Sequence, residues 1–219
     1  RDAHIICDII EKRKEIWQQY QDINRDNQFV LAVAEELLVN RKLLNEVIEN
    51  PELLIEMVFI IVDKDKKTVP YFLNEVQKIF LKKLNETIVS FKEGKLLHMR
   101  FLVLKGRQQG FTSVITAYQL ANTLIKSNFT GMTLADTADN VRAIFQDKAK
   151  YIYNNLPELI KPTEKYNSKT EMFFEKLNSS WRINVATAQV GRSRTINFFH
   201  GSEVAFWTCL ISDTQSSLS

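Results

Sequence analysis

Apolar residues recur at helical spacing through the first 65 residues. Ile5, Ile6, Ile9, Ile10, Ile16, Trp17 and Tyr20 form one series; Val30, Val33, Ala34, Leu37, Leu38, Leu44, Val47 and Ile48 form another. Asn50-Pro51 punctuates the second series, and Pro51 suits the first turn of a following helix. The charged run Asp63 to Lys67 marks a turn or junction. From Val69 onward the pattern changes to helix and strand in alternation, which argues for a mainly parallel α/β sheet. The pattern predicts a helix over Leu73 to Leu84, a first core strand over Met99 to Lys105 and a helix over Thr112 to Lys126. It then predicts a strand over Gly131 to Ala135, ending at Asp136, and a helix over Asp139 to Asn154. A loop holding Pro157 and Pro162 follows, then strands over Met172 to Leu177 and Trp181 to Ala188, joined by Asn178-Ser179-Ser180. Ile196, Phe198 and Phe199 read as a last buried strand ending at Ser202-Glu203, expected beside the Met99 to Lys105 strand. Two regions result: a helical one at 1–65 and an α/β domain at 66–219.

The junction of the first strand and its helix, Arg100 to Ser113 (RFLVLKGRQQGFTS), carries candidate chemistry. An apolar strand, a short loop with two glycines and a helix start present backbone N–H groups and a helix N-terminus to an anion. The spelling departs from G-x-x-x-x-G-K-[ST] in two places: Lys105 holds the first glycine position and Phe111 the lysine position after Gly110. Thr112 keeps the hydroxyl that would reach a Mg²⁺. Lys105, Gly106, Arg107, Gln108, Gln109, Gly110, Phe111 and Thr112 are therefore the candidate phosphate-binding residues. Lys105 also reads as a surface lysine at a strand end, and Arg107 as a residue capping a neighbour. The second candidate is Thr195 to Trp207 (TINFFHGSEVAFW). A carboxylate at the tip of a strand near such a loop can orient the water that attacks a γ-phosphate, and Glu203 stands there. Ser202 occupies the place of the Asp that usually helps to hold the metal, so it offers only a neutral oxygen. Phe198, Phe199, Phe206 and Trp207 are expected in the core, with His200 a packed strand residue.

In four segments the chain resembles the large terminase subunits of tailed bacteriophages and prophages, the motors that pump DNA into capsids. They are VPYFLNEVQKIFL (Val69 to Leu81), KGRQQGFTS (Lys105 to Ser113), ATAQVGRSRT (Ala186 to Thr195) and HGSEVAFW (His200 to Trp207). That family carries a deviant phosphate loop with the lysine at its start and an aromatic after the second glycine, as Lys105 and Phe111 do here. The resemblance implies a RecA-like P-loop ATPase that uses ATP and Mg²⁺, with Glu203 catalytic and Thr112 and Ser202 at the metal. It implies that Gln77 reads the adenine edge, although the residue also reads as an exposed helical polar group. It implies that Arg192, rather than Arg194, reaches the ATP of a neighbouring subunit in a homo-oligomeric ring; from its loop alone Arg192 reads as a solvated surface group. Double-stranded DNA, the portal protein and the small terminase subunit are the implied partners, and host cytoplasm at the procapsid portal the implied place.

Composition adjusts this picture little. The chain has 219 residues and 45% hydrophobic content, enough for one sizeable core. Two cysteines, Cys7 and Cys209, have no zinc or disulfide spacing, and no apolar run suggests a membrane segment. A net charge of +3 does not by itself announce nucleic acid. The 1–65 helices read either as packing against the α/β domain or as a docking surface. The α/β domain is expected to carry further strands after Glu203, so the chain reads as a fragment, ending before the acidic cluster by which this family cuts DNA. A nucleotide-binding assembly module without efficient turnover stands as the alternative function, with a helicase-like translocase as a variant motor.

Overall fold

The computed structural model describes residues 2–104, 106, 109–165, 168–187 and 195–207. Helices α1 (Asp2–Tyr20), α2 (Ile23–Val39), α3 (Arg41–Glu49) and α4 (Leu53–Val58) open the chain. Two of their starts are set by short polar side chains. Asp22 accepts from the Asn24 N–H and Asn40 from the Leu43 N–H, each satisfying a donor that the first turn leaves unpaired. Arg13 is fully buried among these helices. Its guanidinium donates to both Asp26 carboxylate oxygens at 2.8 and 2.7 Å, and to the carbonyls of Glu56 and Phe59 at 2.9 and 3.0 Å. One side chain thus joins α1, α2 and the end of α4.

The charged run at 63–67 is the turn of an antiparallel hairpin, β1 (Ile60–Val62) with β2 (Thr68–Pro70). Asp63 closes it by accepting from the N–H groups of Asp65 and Lys67. The hairpin straddles the boundary drawn at residue 65, and one apolar cluster runs from Ile6 through Phe59 to Trp181 and Ile183. Helix α5 (Glu75–Lys92) follows and outlasts the expected end at Leu84 by two turns, because nothing before Gly94 breaks it. Gly94 at φ 72° ends it with Gly94 N–H to Phe91 O and Lys95 N–H to Ser90 O, a paired closure of the last carbonyls.

The expected strand over Met99 to Lys105 is not one across the described residues 99–104. Leu102 and Leu104 are 88% and 90% exposed, and the segment touches the fold through the Phe101 ring, edge-on to Phe80 at 6.3 Å. Apolar character predicted a strand, but a strand also needs a neighbour to take its N–H and C=O groups. The sheet of the described residues has the order β4-β5-β3-β6, and neither of its edges takes this segment. The Ile196 to His200 stretch therefore has β3 for its neighbour rather than the described residues 99–104.

That sheet is built from β3 (Thr130–Ala135), β4 (Glu171–Phe174), β5 (Ser179–Val185) and β6 (Phe198–Gly201). β3 runs parallel to both β5 and β6, while β4 is antiparallel to β5, so the α/β character and mainly parallel pairing hold. Helix α6 (Phe111–Ile125) packs over β5 and β3. Helix α7 (Ala138–Ile144), a π-helical segment (Phe145–Lys150) and α8 (Tyr151–Asn154) run on as one rod where a single helix was expected. The pleat sorts the side chains: Trp181, Ile183 and Phe198 join the main core, while Met132, Leu134 and Ala186 meet Ile196 and Trp207 on the other face. β3 is buried on both faces, as a strand covered on both sides must be. Phe199 and Phe206, expected in the core, are exposed: Phe199 falls on the outer pleat of an edge strand, and Phe206 lies in a single turn beyond it.

Candidate functional site

The glycine loop enters α6 through Gly110, which sits at φ 71°, ψ 17° as the residue before the first turn. It brings no side-chain cap, so the first N–H groups of a 15-residue helix are left to whatever lies beyond them. Phe111 is buried, its ring edge-on to Phe80 of α5 at 5.4 Å. An aromatic in place of the usual lysine is here a packing residue that holds the helix start against α5. Thr112 follows in the first turn, partly buried.

Gln77 departs most from the sequence expectation. It is 4% exposed, and its carboxamide is occupied. Its Oε1 accepts from the Asn74 N–H, completing a reciprocal cap at the start of α5, while its Nε2 donates to Gly110 O at 3.0 Å and to the Tyr71 hydroxyl at 3.4 Å. Burial holds the Tyr71 hydroxyl well above its ordinary pKa, so it stays protonated. Gln77 thus ties α5 to the glycine loop, and Asn74 adds a long contact to Gln109 O at 3.5 Å. Gly106 is described without strand or helix; Lys105, Arg107, Gln108 and Arg192, with Arg194, lie outside the described residues.

Contacts along α6 fix which sheet edge its N-terminus faces. Ser179, at the start of β5, donates to Thr123 O near the C-terminal end of α6. Halfway along, Gln119 donates to Met132 O at 3.2 Å and Phe198 O at 3.5 Å, and accepts from Thr133 Oγ1 at 2.7 Å. Thr133 in turn accepts from Trp181 Nε1 at 3.1 Å. The helix runs opposite to the strands, so Gly110 to Thr112 lie at the edge where β3, β5 and β6 end. Ser202-Glu203 lies at that same edge: Ser202 N–H continues the β6 ladder to Leu134 O at 2.8 Å, and Trp207 Nε1 donates to Ser202 O. The buried network of Gln119, Thr133 and Trp181 carried no weight in the sequence reading. Its one signal is a glutamine within the apolar stretch VITAYQLANTL.

Glu203 adopts φ 55°, ψ 43°, a left-handed conformation that a side-chain-bearing residue takes at a cost and that clusters at functional positions. The ladder ends here and a short turn at Val204–Phe206 begins. Ser202 is 6% exposed. His200 Nδ1 is buried without a partner, and burial lowers its pKa to about 4.

The donors that could meet a metal are hard oxygens: Thr112, Ser202 and Glu203. No cluster of three His, Cys, Asp or Glu able to hold an ion occurs among the described residues. Mg²⁺ is commonly held by one or two carboxylates together with a nucleotide's phosphates. The uncapped α6 start fits an anion at this edge. No helix of the described residues is long and apolar enough to cross a membrane. No family model and no curated protein matches the chain.

Proposed function

We propose that this chain is the ATP-hydrolysing motor domain of a terminase large subunit, of RecA-like P-loop type, working on double-stranded DNA at a procapsid portal. The observation that supports it best is the juxtaposition at one sheet edge of an uncapped helix start behind a left-handed glycine and a left-handed glutamate at a strand tip. In this reading the N–H groups from Gly106 to Thr112 cradle the triphosphate, and Lys105 neutralises it from the loop's start with Arg107 nearby. Gln108 and Gln109 shape the loop, and Glu203 orients the attacking water and takes its proton. Bound Mg²⁺ would supply charge neutralisation between the phosphates, next to Thr112 and Ser202. Gln77, already bonded to Gly110 O, would sense the base only by exchanging a contact it now makes. Arg192 acts on the ATP of the adjacent subunit in a ring, and the portal protein and small terminase subunit complete the machine in the host cytoplasm.

Glu203→Gln tests this directly. It keeps the shape and removes the base, so ATP binding should persist while hydrolysis falls by about 10²–10⁴. Turnover that survives the substitution would remove Glu203 from the mechanism. Ser202, a neutral residue in a metal position, favours a second reading: a nucleotide-binding assembly module without efficient turnover. Retained ATP binding with no hydrolysis in the parent assembled with its partners would select it.

A further inference from the structure

Helix α6 is buried without a break from Thr116 to Leu124, yet a glutamine stands in the middle of that stretch. Gln119 is 0% exposed. A carboxamide is tolerated at such depth only where its donors and its acceptor are used, and here they are. Its Oε1 accepts from Thr133 Oγ1 at 2.7 Å. Its Nε2 donates to Met132 O at 3.2 Å, with a longer contact to Phe198 O at 3.5 Å. Thr133 in turn accepts from Trp181 Nε1. One side chain of α6 thus engages β3 and β6 directly and β5 through Thr133. Gly131 leaves room for it: a Cβ there would stand 3.2 Å from Gln119 Nε2.

Apolar packing lets a helix slide and roll on a sheet, whereas hydrogen bonds hold only over a narrow range of distance and angle. Gln119 therefore sets the height and rotation of α6 against the strands. A second tie, Ser179 Oγ to Thr123 O at 2.6 Å, lies one turn nearer the C-terminus. The helix start is fastened elsewhere: Phe111 packs on Phe80, and Gln77 donates to Gly110 O, both from α5. Thr112 lies two turns before Gln119, about 10.5 Å along the axis at 1.5 Å per residue. Over that lever a tilt of roughly 5–6° moves the first turn by about 1 Å. Glu203 does not follow such a tilt, because it stands on the sheet, at the end of β6.

We infer that Gln119 is a positioning residue, holding the glycine loop and α6 start at a fixed offset from Glu203 at the tip of β6. The two halves of the site belong to different bodies. The groups that bind the triphosphate travel with α6, and the carboxylate that orients the attacking water travels with β6. Binding needs the first half alone, while hydrolysis needs both in register, and a displacement of about 1 Å is enough to cost about 10² in rate. The inference rests on the ATPase reading and adds to it the residue that aligns its two halves.

The test separates binding from turnover in the protein assembled with its partners. Affinity for the non-hydrolysable analogue AMP-PNP is measured beside kcat and KM for ATP, each per folded molecule. Gln119→Met keeps the length of the side chain and removes its hydrogen bonds. It should leave AMP-PNP affinity and KM unchanged and lower kcat about 10- to 100-fold. Gly131→Ala keeps the amide but crowds it, so it should lower kcat by less, again at unchanged affinity; it decides the matter if Gln119→Met fails to fold. A lower melting temperature with parental kcat in folded Gln119→Met is the mark of a merely structural glutamine and would overturn the inference. So would an equal loss of AMP-PNP affinity and kcat, or, where only Gly131→Ala folds, parental kcat in that variant. Each of these leaves the ATPase reading standing. A parent that does not hydrolyse ATP would overturn both.

Discussion

At the scale of single residues, Gly110 and Gln77 show how little room the helix entrance leaves. A Cβ at position 110 would stand 2.6 Å from Gln77 Nε2, and the left-handed backbone adds its own cost. Gly110→Ala should therefore lower stability by about 1–2 kcal/mol from the backbone alone, with more from displacing the amide. Thermal melting would show it. Gln77→Ala in the same chain should relieve the clash but not the backbone cost, so the two substitutions should be sub-additive. His200 sets a second expectation. Its native pKa of about 4 lies below the ordinary value of 6.5, so between these values the unfolded chain binds the extra proton. Stability should be undiminished above pH 6.5, fall as the pH drops towards 4 and lose nothing more to this group below that. His200→Gln should flatten that limb in melting curves taken across the range.

At the scale of elements, the Arg13–Asp26 pair governs the first four helices. Asp26→Ala would strand a fully buried guanidinium, and removing one partner of such a pair costs about 3–5 kcal/mol. Urea denaturation should show a loss of that size; a loss below 1 kcal/mol would mean that water reaches Arg13. The elements that were legible in the sequence are those whose own residues fix them. Helix α6 and strand β3 appear within a residue or two of their expected ends, since an apolar run of the right length is nearly sufficient for either. Met99 to Leu104 was not legible because a strand is a property of two segments, and the second is not written beside the first. The hairpin at 60–70 hid for a related reason: three-residue strands fall below what periodicity resolves. The edge that gathers Thr112, Ser202 and Glu203 followed from the order of helix and strand. The occupied amide of Gln77 did not, because spacing reports where a side chain starts and not what it meets.

At the scale of the whole molecule, β3 is the strand on which the others depend, and both of its parallel partners come later in the chain. During synthesis it therefore emerges with two bare edges. At about 5–20 residues per second, the ribosome needs roughly 3–13 s to pass from β3 to the end of β6. Helices α1 to α4 contact one another over short stretches of sequence and have no reason to wait. A nascent chain at that stage holds a folded helical cap above an apolar strand whose hydrogen bonds are not yet made. Its solubility in those seconds depends on how well α6 shields one face of TGMTLA, and a slow codon between residues 135 and 198 would lengthen the exposure.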